Sequence, residues 1–143
     1  MLTGRRLVTV EWGQCDPGGI VYFPRYFEWF DAGTAALFES AGIPKAAMLP
    51  RFGCAGIPVV ELRTRFVKPS TFGDRVTIES SITAWRRSSF DLHHRLLRGD
   101  EVAVEAFVTR VWTVRAEDGG LKSGPIPAEI VALFSAGPPP HDV

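Results

Sequence analysis

One stretch constrains the fold of this chain more than any other: between Pro24 and Ala41 the residues spell a single long amphipathic helix rich in aromatics. Phe27, Phe30, Thr34, Leu37, Phe38 and Ala41 recur at spacings of three or four, which lines one face of a 3.6-residue repeat. Pro24 suits the first helical turn, where a missing N–H costs nothing. Gly42 suits a C-terminal cap and Pro44 forbids continuation, which gives a helix of about 18 residues. Nearly everything else alternates like strand.

Leu7 to Trp12 reads as a first strand, and Gly13 to Gly19 as a loop of turn-forming residues. After the helix, Lys45 to Arg51 predicts one further helical turn. Val59 to Val67 alternates, with Val60, Leu62, Thr64 and Phe66 on one side and Glu61, Arg63 and Arg65 on the other. Val76 to Trp85 and Phe90 to Leu97 repeat the pattern, and Arg98-Gly99-Asp100 is a hairpin turn. Val102 to Arg115 reads as one long central strand, apolar in places on both faces. Asp118-Gly119-Gly120 turns again, Ala128 to Phe134 predicts a short helix, and Pro138 to Val143 reads as a frayed tail.

The order is strand, long helix, then four strands, an α+β arrangement in a single domain over residues 1–143 with the sheet wrapped around the helix. With 143 residues, 45% of them hydrophobic, it buries enough surface to need no disulfide or metal. One helix covers one face of a sheet, so bare strand faces predict a homo-oligomer. The 16 basic and 16 acidic residues cancel, which disfavours nucleic acid and anionic membranes as partners. Two cysteines, no apolar leader-like run and no segment long enough to span a bilayer lead to the expectation of a cytoplasmic location.

Chemistry concentrates in Gly13-Gln14-Cys15-Asp16-Pro17-Gly18-Gly19-Ile20-Val21-Tyr22-Phe23-Pro24. A carboxylate in a glycine-rich loop precedes a helix tip, where unpaired N–H groups and a partial positive charge meet. A thioester carbonyl polarised by such an N–H is open to attack by the carboxylate or by water that it activates. Asp-Pro-Gly is equally a turn signature whose Asp caps backbone N–H groups, and the local residues leave both roles open. His93 and His94, adjacent on a strand, point to opposite faces and cannot chelate one metal together. Cys15 has no histidine nearby in sequence to activate it, and Ser88-Ser89 lacks the glycines of a nucleophile elbow.

The segment Asp16-Pro17-Gly18-Gly19-Ile20-Val21-Tyr22, followed by Pro24, Tyr26, Trp29 and Asp31, resembles the 4-hydroxybenzoyl-CoA thioesterase family, whose fold is the hotdog. The likeness continues through Gly42-Ile43-Pro44, Gly56 with Pro58-Val59-Val60, Phe66-Val67, Trp85-Arg86-Arg87, Ser89-Phe90 and Ile126-Pro127-Ala128. It implies that Asp16 is the catalytic nucleophile or general base and that the Phe23 backbone N–H polarises the carbonyl. It also implies that Tyr22, Trp29 and Ile57 lie near the substrate, and that Asp31 accepts a hydrogen bond from a phenolic hydroxyl. Arg86, Arg87 and Lys122 correspond to basic positions that meet the CoA phosphates, which guanidinium forks suit. The plainer roles are a carboxylate bonded to its own protein for Asp31, core packing for Trp29 and Phe27, and surface charge for the basic residues.

Three departures matter. Val21-Tyr22-Phe23 stands where many hotdog acyl-CoA thioesterases carry Val-Tyr-His, which points away from aliphatic acyl groups and from hotdog dehydratases. Ser88 replaces a frequent lysine, and Ile57 stands where a small polar residue would suit a hydroxylated arene, so benzoyl and other aryl groups stay open. The resemblance therefore implies hydrolysis of an aryl-CoA thioester without metal or redox cofactor, CoA being part of the substrate. Short or medium aliphatic acyl-CoA hydrolysis and non-catalytic acyl-CoA binding are the alternatives. Relatives assemble as homodimers and homotetramers with active sites at the dimer interface.

Overall fold

The computed structural model describes residues 1–135; the tail expected over 138–143 lies outside the described residues. The strands are β1 (Thr3–Thr9), β2 (Val59–Phe66), β3 (Arg75–Trp85), β4 (Ser89–Arg98), β5 (Glu101–Val111), β6 (Thr113–Arg115) and β7 (Leu121–Ser123). The helices are α1 (Pro24–Ser40), α2 (Lys45–Phe52) and α3 (Ala128–Ser135). Five strands form one antiparallel sheet in the order β1-β3-β4-β5-β2, and β6 pairs with β7 in a separate ribbon. This α+β sheet, packed on one central helix, is the hotdog arrangement.

Helix α1 begins at Pro24, which spends no N–H there, and stops because of its glycine. Gly42 has φ +84°, its N–H donates to the Glu39 carbonyl, and the Ile43 N–H donates to the Phe38 carbonyl at 3.0 Å. That is a Schellman ending, and the residues at its two apolar positions, Phe38 and Ile43, are both fully buried in the core. The buried stripe is Tyr26, Trp29, Phe30, Gly33, Thr34, Leu37 and Phe38. It is wider than the spacing alone suggests, because the sheet curls around the helix. Phe27 is left half-buried at its margin.

Three strand expectations change. The first strand is Thr3–Thr9 rather than Leu7–Trp12, because pairing with β3 runs from Thr3 opposite Ser81 to Thr9 opposite Arg75. Beyond it, Trp12–Gln14 close a 3₁₀ turn in which the Gln14 side chain accepts the Glu11 N–H at 2.8 Å. The long strand expected from Val102 to Arg115 breaks at Trp112, whose N–H turns to the Ser88 carbonyl at 2.7 Å while its indole is buried. The chain after the break pairs with β7, a three-residue strand too short to carry a period. Finally, β2 is exposed on both faces along almost its whole length, Val60 and Phe66 included. It is a sheet edge with apolar side chains in the open.

Candidate active site

The loop before α1 folds back as a small hairpin. Tyr22 N–H donates to the Gln14 carbonyl at 2.8 Å, Asp16 N–H to the Ile20 carbonyl at 2.9 Å, and Gly19 N–H to the Asp16 carbonyl at 2.9 Å. Gly19 takes φ +82°, which a side chain would resist. Asp16 sits half-exposed at the bend, and its Oδ1 accepts the Gly18 N–H at 2.8 Å. The turn-capping role is therefore filled by one carboxylate oxygen.

At the other end of the hairpin stands the helix tip. Pro24 has no N–H, the Arg25 N–H donates to the Tyr22 carbonyl, and the Tyr26 N–H to the Phe23 carbonyl. Among the described residues the Phe23 N–H has no acceptor, so it is the donor left over at this tip. Phe23 and Tyr22 expose their rings. A cavity of about 340 Å³ opens beside them, walled by Ile20, Val21, Phe23, Tyr26, Phe66 and Val67.

Phe23, Phe27 and Phe66 touch edge to face or tilted, with centroids 6.3–6.4 Å apart; Phe23 and Phe66 wall that cavity and Phe27 lies behind them. Beyond them lies a slot of about 200 Å³ between α1 and the β2–β5–β4 side of the sheet. Phe27, Phe30, Val59, Leu62 and Val108 line it, and its polar lining is Asp31, Arg110 and His94. A cavity of about 150 Å³ with apolar walls is room enough for one benzene ring. Phe23, Phe27 and Asp31 follow at intervals of four on α1, so the slot's carboxylate lies roughly 12 Å along the helix from its tip.

Asp31 is held by its own protein. Arg110 Nη2 donates to its Oδ1 at 2.7 Å, and Lys45 Nζ approaches the same oxygen at 3.6 Å. Burial works against its charge, but the Arg110 hydrogen bond and the two cations outweigh it and hold the carboxyl below its ordinary value. Arg110 itself is buried, gives Nη1 to the Ile57 carbonyl at 3.0 Å, and leaves Nε without a partner. Ile57 thus enters the site through its backbone, with its side chain buried. Trp29 is buried and packs edge-on against Tyr26, the core role weighed for it above.

His94 completes the slot. Thr34 Oγ1 donates to the Phe30 carbonyl, so it must accept from His94 Nε2–H at 3.4 Å, and Nδ1 then accepts the Ser80 hydroxyl at 2.7 Å. Burial, reinforced by the Arg110 charge, pushes the imidazole down to about 3 and keeps it neutral. His93 points to the opposite face and bonds Glu105 at 2.7 Å, as the alternation requires.

The basic residues separate. The turn from β3 to β4 carries Arg86 and Arg87. Arg86 grips Asp91 with both terminal nitrogens and Ser89 Oγ with Nε at 2.8 Å, so its fork is filled. Arg87 is exposed and makes no ion pair among the described residues. Its carbonyl accepts the Ile126 N–H at 2.8 Å, which draws the segment after β7, and with it exposed Lys122, towards this turn. Sequence reasoning missed Arg110 and Lys45. The signal for Arg110 was present: it continues the inward register of Val104, Ala106 and Val108, where a charge needs a partner.

Comparison with known proteins agrees with the architecture. The family model of the thioesterase-like superfamily matches residues 10–134. The chain is 34% identical over 132 residues to 4-hydroxybenzoyl-CoA thioesterase from Pseudomonas sp. (strain CBS-3), covering 88% of this chain and 93% of that protein. It is 26% identical over 110 residues to 1,4-dihydroxy-2-naphthoyl-CoA hydrolase from Synechococcus sp. (strain WH7803), 71% of each. An aspartate-to-asparagine mutant of 4-hydroxybenzoyl-CoA thioesterase, complexed with 4-hydroxybenzoyl-CoA, superposes with a TM-score of 0.87 at 28% identity, over 94% of this chain and 99% of that one. Sheet order, enclosed helix and family match converge: the chain belongs to the thioesterase-like superfamily and carries the hotdog fold.

Proposed function

We propose that this chain hydrolyses an aryl-CoA thioester to the free aromatic acid and CoA. The observation that carries the reading is the unpartnered Phe23 N–H at the tip of α1, tied through one short hairpin to the Asp16 carboxylate. The thioester oxygen accepts that N–H, which stabilises the negative charge that develops there. Asp16 acts on the carbonyl carbon with the oxygen its turn leaves over. It either attacks to form an anhydride that water opens, or takes the proton of the attacking water; in both, the C–S bond breaks and CoA leaves as the thiolate.

The aryl ring occupies the slot, reached from the helix tip past Phe27. Its size, its apolar walls and the relatives named above, whose substrates are aromatic CoA thioesters, support this. Arg87 and Lys122 are the basic residues best placed for CoA phosphates, and Arg86 joins them only by releasing Asp91. The exposed apolar side chains of β2, with Phe66 on the cavity wall, suit a site that a second copy completes.

Asp16→Asn tests the assignment cleanly, because an Asn oxygen still accepts the Gly18 N–H and keeps the turn. Turnover of benzoyl- and 4-hydroxybenzoyl-CoA is expected to fall by about 10²–10⁴-fold, with thioester binding kept. Turnover equal to that of the parent would remove Asp16 from the chemistry.

A further inference from the structure

Asp31 shares its corner with two cations and no other carboxylate among the residues that line the slot and the adjoining groove. The groove, about 610 Å³ and open, has Lys45, Met48, Leu49, Ile57 and Arg110 on its walls, and Arg110 lines both spaces. Both cations approach the same oxygen, Asp31 Oδ1. Arg110 has a side chain only 9% exposed, and its Nε finds no acceptor. His94 is neutral with both ring nitrogens engaged, so it brings no charge. The balance of formal charge at this junction is two positive against one negative.

An acyl ring that fills the slot brings its far substituent to this junction. A substituent that only donates hydrogen bonds finds one acceptor here, the second oxygen of Asp31, while Arg110 and Lys45 have nothing to accept with. A substituent bearing an anionic oxygen finds charge-assisted donors and neutralises the excess cation. We propose that Arg110 and Lys45, with Asp31 as their counter-ion, form a specificity subsite that selects aryl groups carrying an anionic oxygen, a carboxylate or a phenolate, opposite the thioester. This rests on the aryl-CoA reading above and adds the sign of the group selected. It assigns Asp31 the role of a partial counter-charge to cations that Arg110's bond to the Ile57 carbonyl helps to anchor, rather than of chief acceptor for a phenol.

Non-hydrolysable CoA thioethers read the subsite without turnover. Calorimetric binding of 4-carboxyphenacyl-CoA is expected to be at least about tenfold tighter than that of 4-aminophenacyl-CoA, whose substituent is chiefly a donor. Lys45→Met, at a partly exposed position, should lower this ratio about tenfold, and Asp31→Asn should raise it by removing the opposing charge. An amino analogue that binds as tightly as the carboxy one, or a ratio that falls in Asp31→Asn, overturns the proposal and makes Asp31 the acceptor. Aryl-CoA turnover without the anionic preference removes this inference alone. Tight binding of the carboxy analogue by a protein that hydrolyses no aryl-CoA removes the hydrolytic reading alone.

Discussion

His94 shows how one side chain joins stability to the site. It stacks on Phe30 with ring planes 13° apart, and Ser80, Thr34 and Arg110 surround it. Its folded value, near 3, lies far below the ordinary 6.5, so the unfolded chain takes up a proton that the native protein refuses. Stability from this group is complete above pH 6.5 and drains away as pH falls towards 3. At pH 5 the loss is about 2 kcal/mol, while most carboxylates are still ionised. Urea unfolding of the parent and of His94→Gln at pH 7 and pH 5 should show the parent losing more stability. Equal losses would mean that His94 protonates freely. Its partners were not legible in the sequence, since Ser80 and Thr34 lie 14 and 60 residues away. The opposite directions of His93 and His94 were legible, because a two-residue period fixes them locally.

The helix depends on a close approach that composition hides. A Cβ built on Gly33 would stand 2.7 Å from Ser80 Oγ and 3.1 Å from Ile78 Cγ2, so β3 lies directly against the backbone of α1. By helix propensity alone, Gly33→Ala stabilises by about 1 kcal/mol. Here the added methyl group must push the sheet away, at a cost of about 1–3 kcal/mol. A lower denaturation midpoint for Gly33→Ala is expected, and a higher one would show that helix and sheet have slack. The helix was legible in its start and stop, written locally in Pro24 and Gly42, while its buried stripe also takes in Tyr26, Trp29 and Gly33 and leaves Phe27 and Ala41 half-buried. Strand ends were less so. β1 slid towards Thr3 and the long strand broke at Trp112 because partners far along the chain, Ser81 and Ser88, decide where pairing begins and stops. The Asp16 loop read correctly as a turn, and the inward register of Arg110 was legible, but its partners Asp31 and Ile57 are visible only once β5 faces α1.

At the scale of the molecule, the sheet ends in β2, which among the described residues has one ladder to β5 and none on its other side. Unpaired edges with apolar side chains associate unless blocked by charge. Val60, 61% exposed, is the place to block it. Sedimentation of the parent should show a dimer or larger species, and Val60→Lys should sediment as a monomer with its fold intact by circular dichroism. A monomeric parent at micromolar concentration would leave β2 without this purpose. The same strand carries Phe66, which walls the cavity at the helix tip. In a pair built on β2, quaternary contact and pocket mouth are one surface. Dilution would then act as an inhibitor does: the proposed hydrolysis per molecule would decline as copies drift apart, and a peptide mimicking the strand would poison it without ever resembling a substrate.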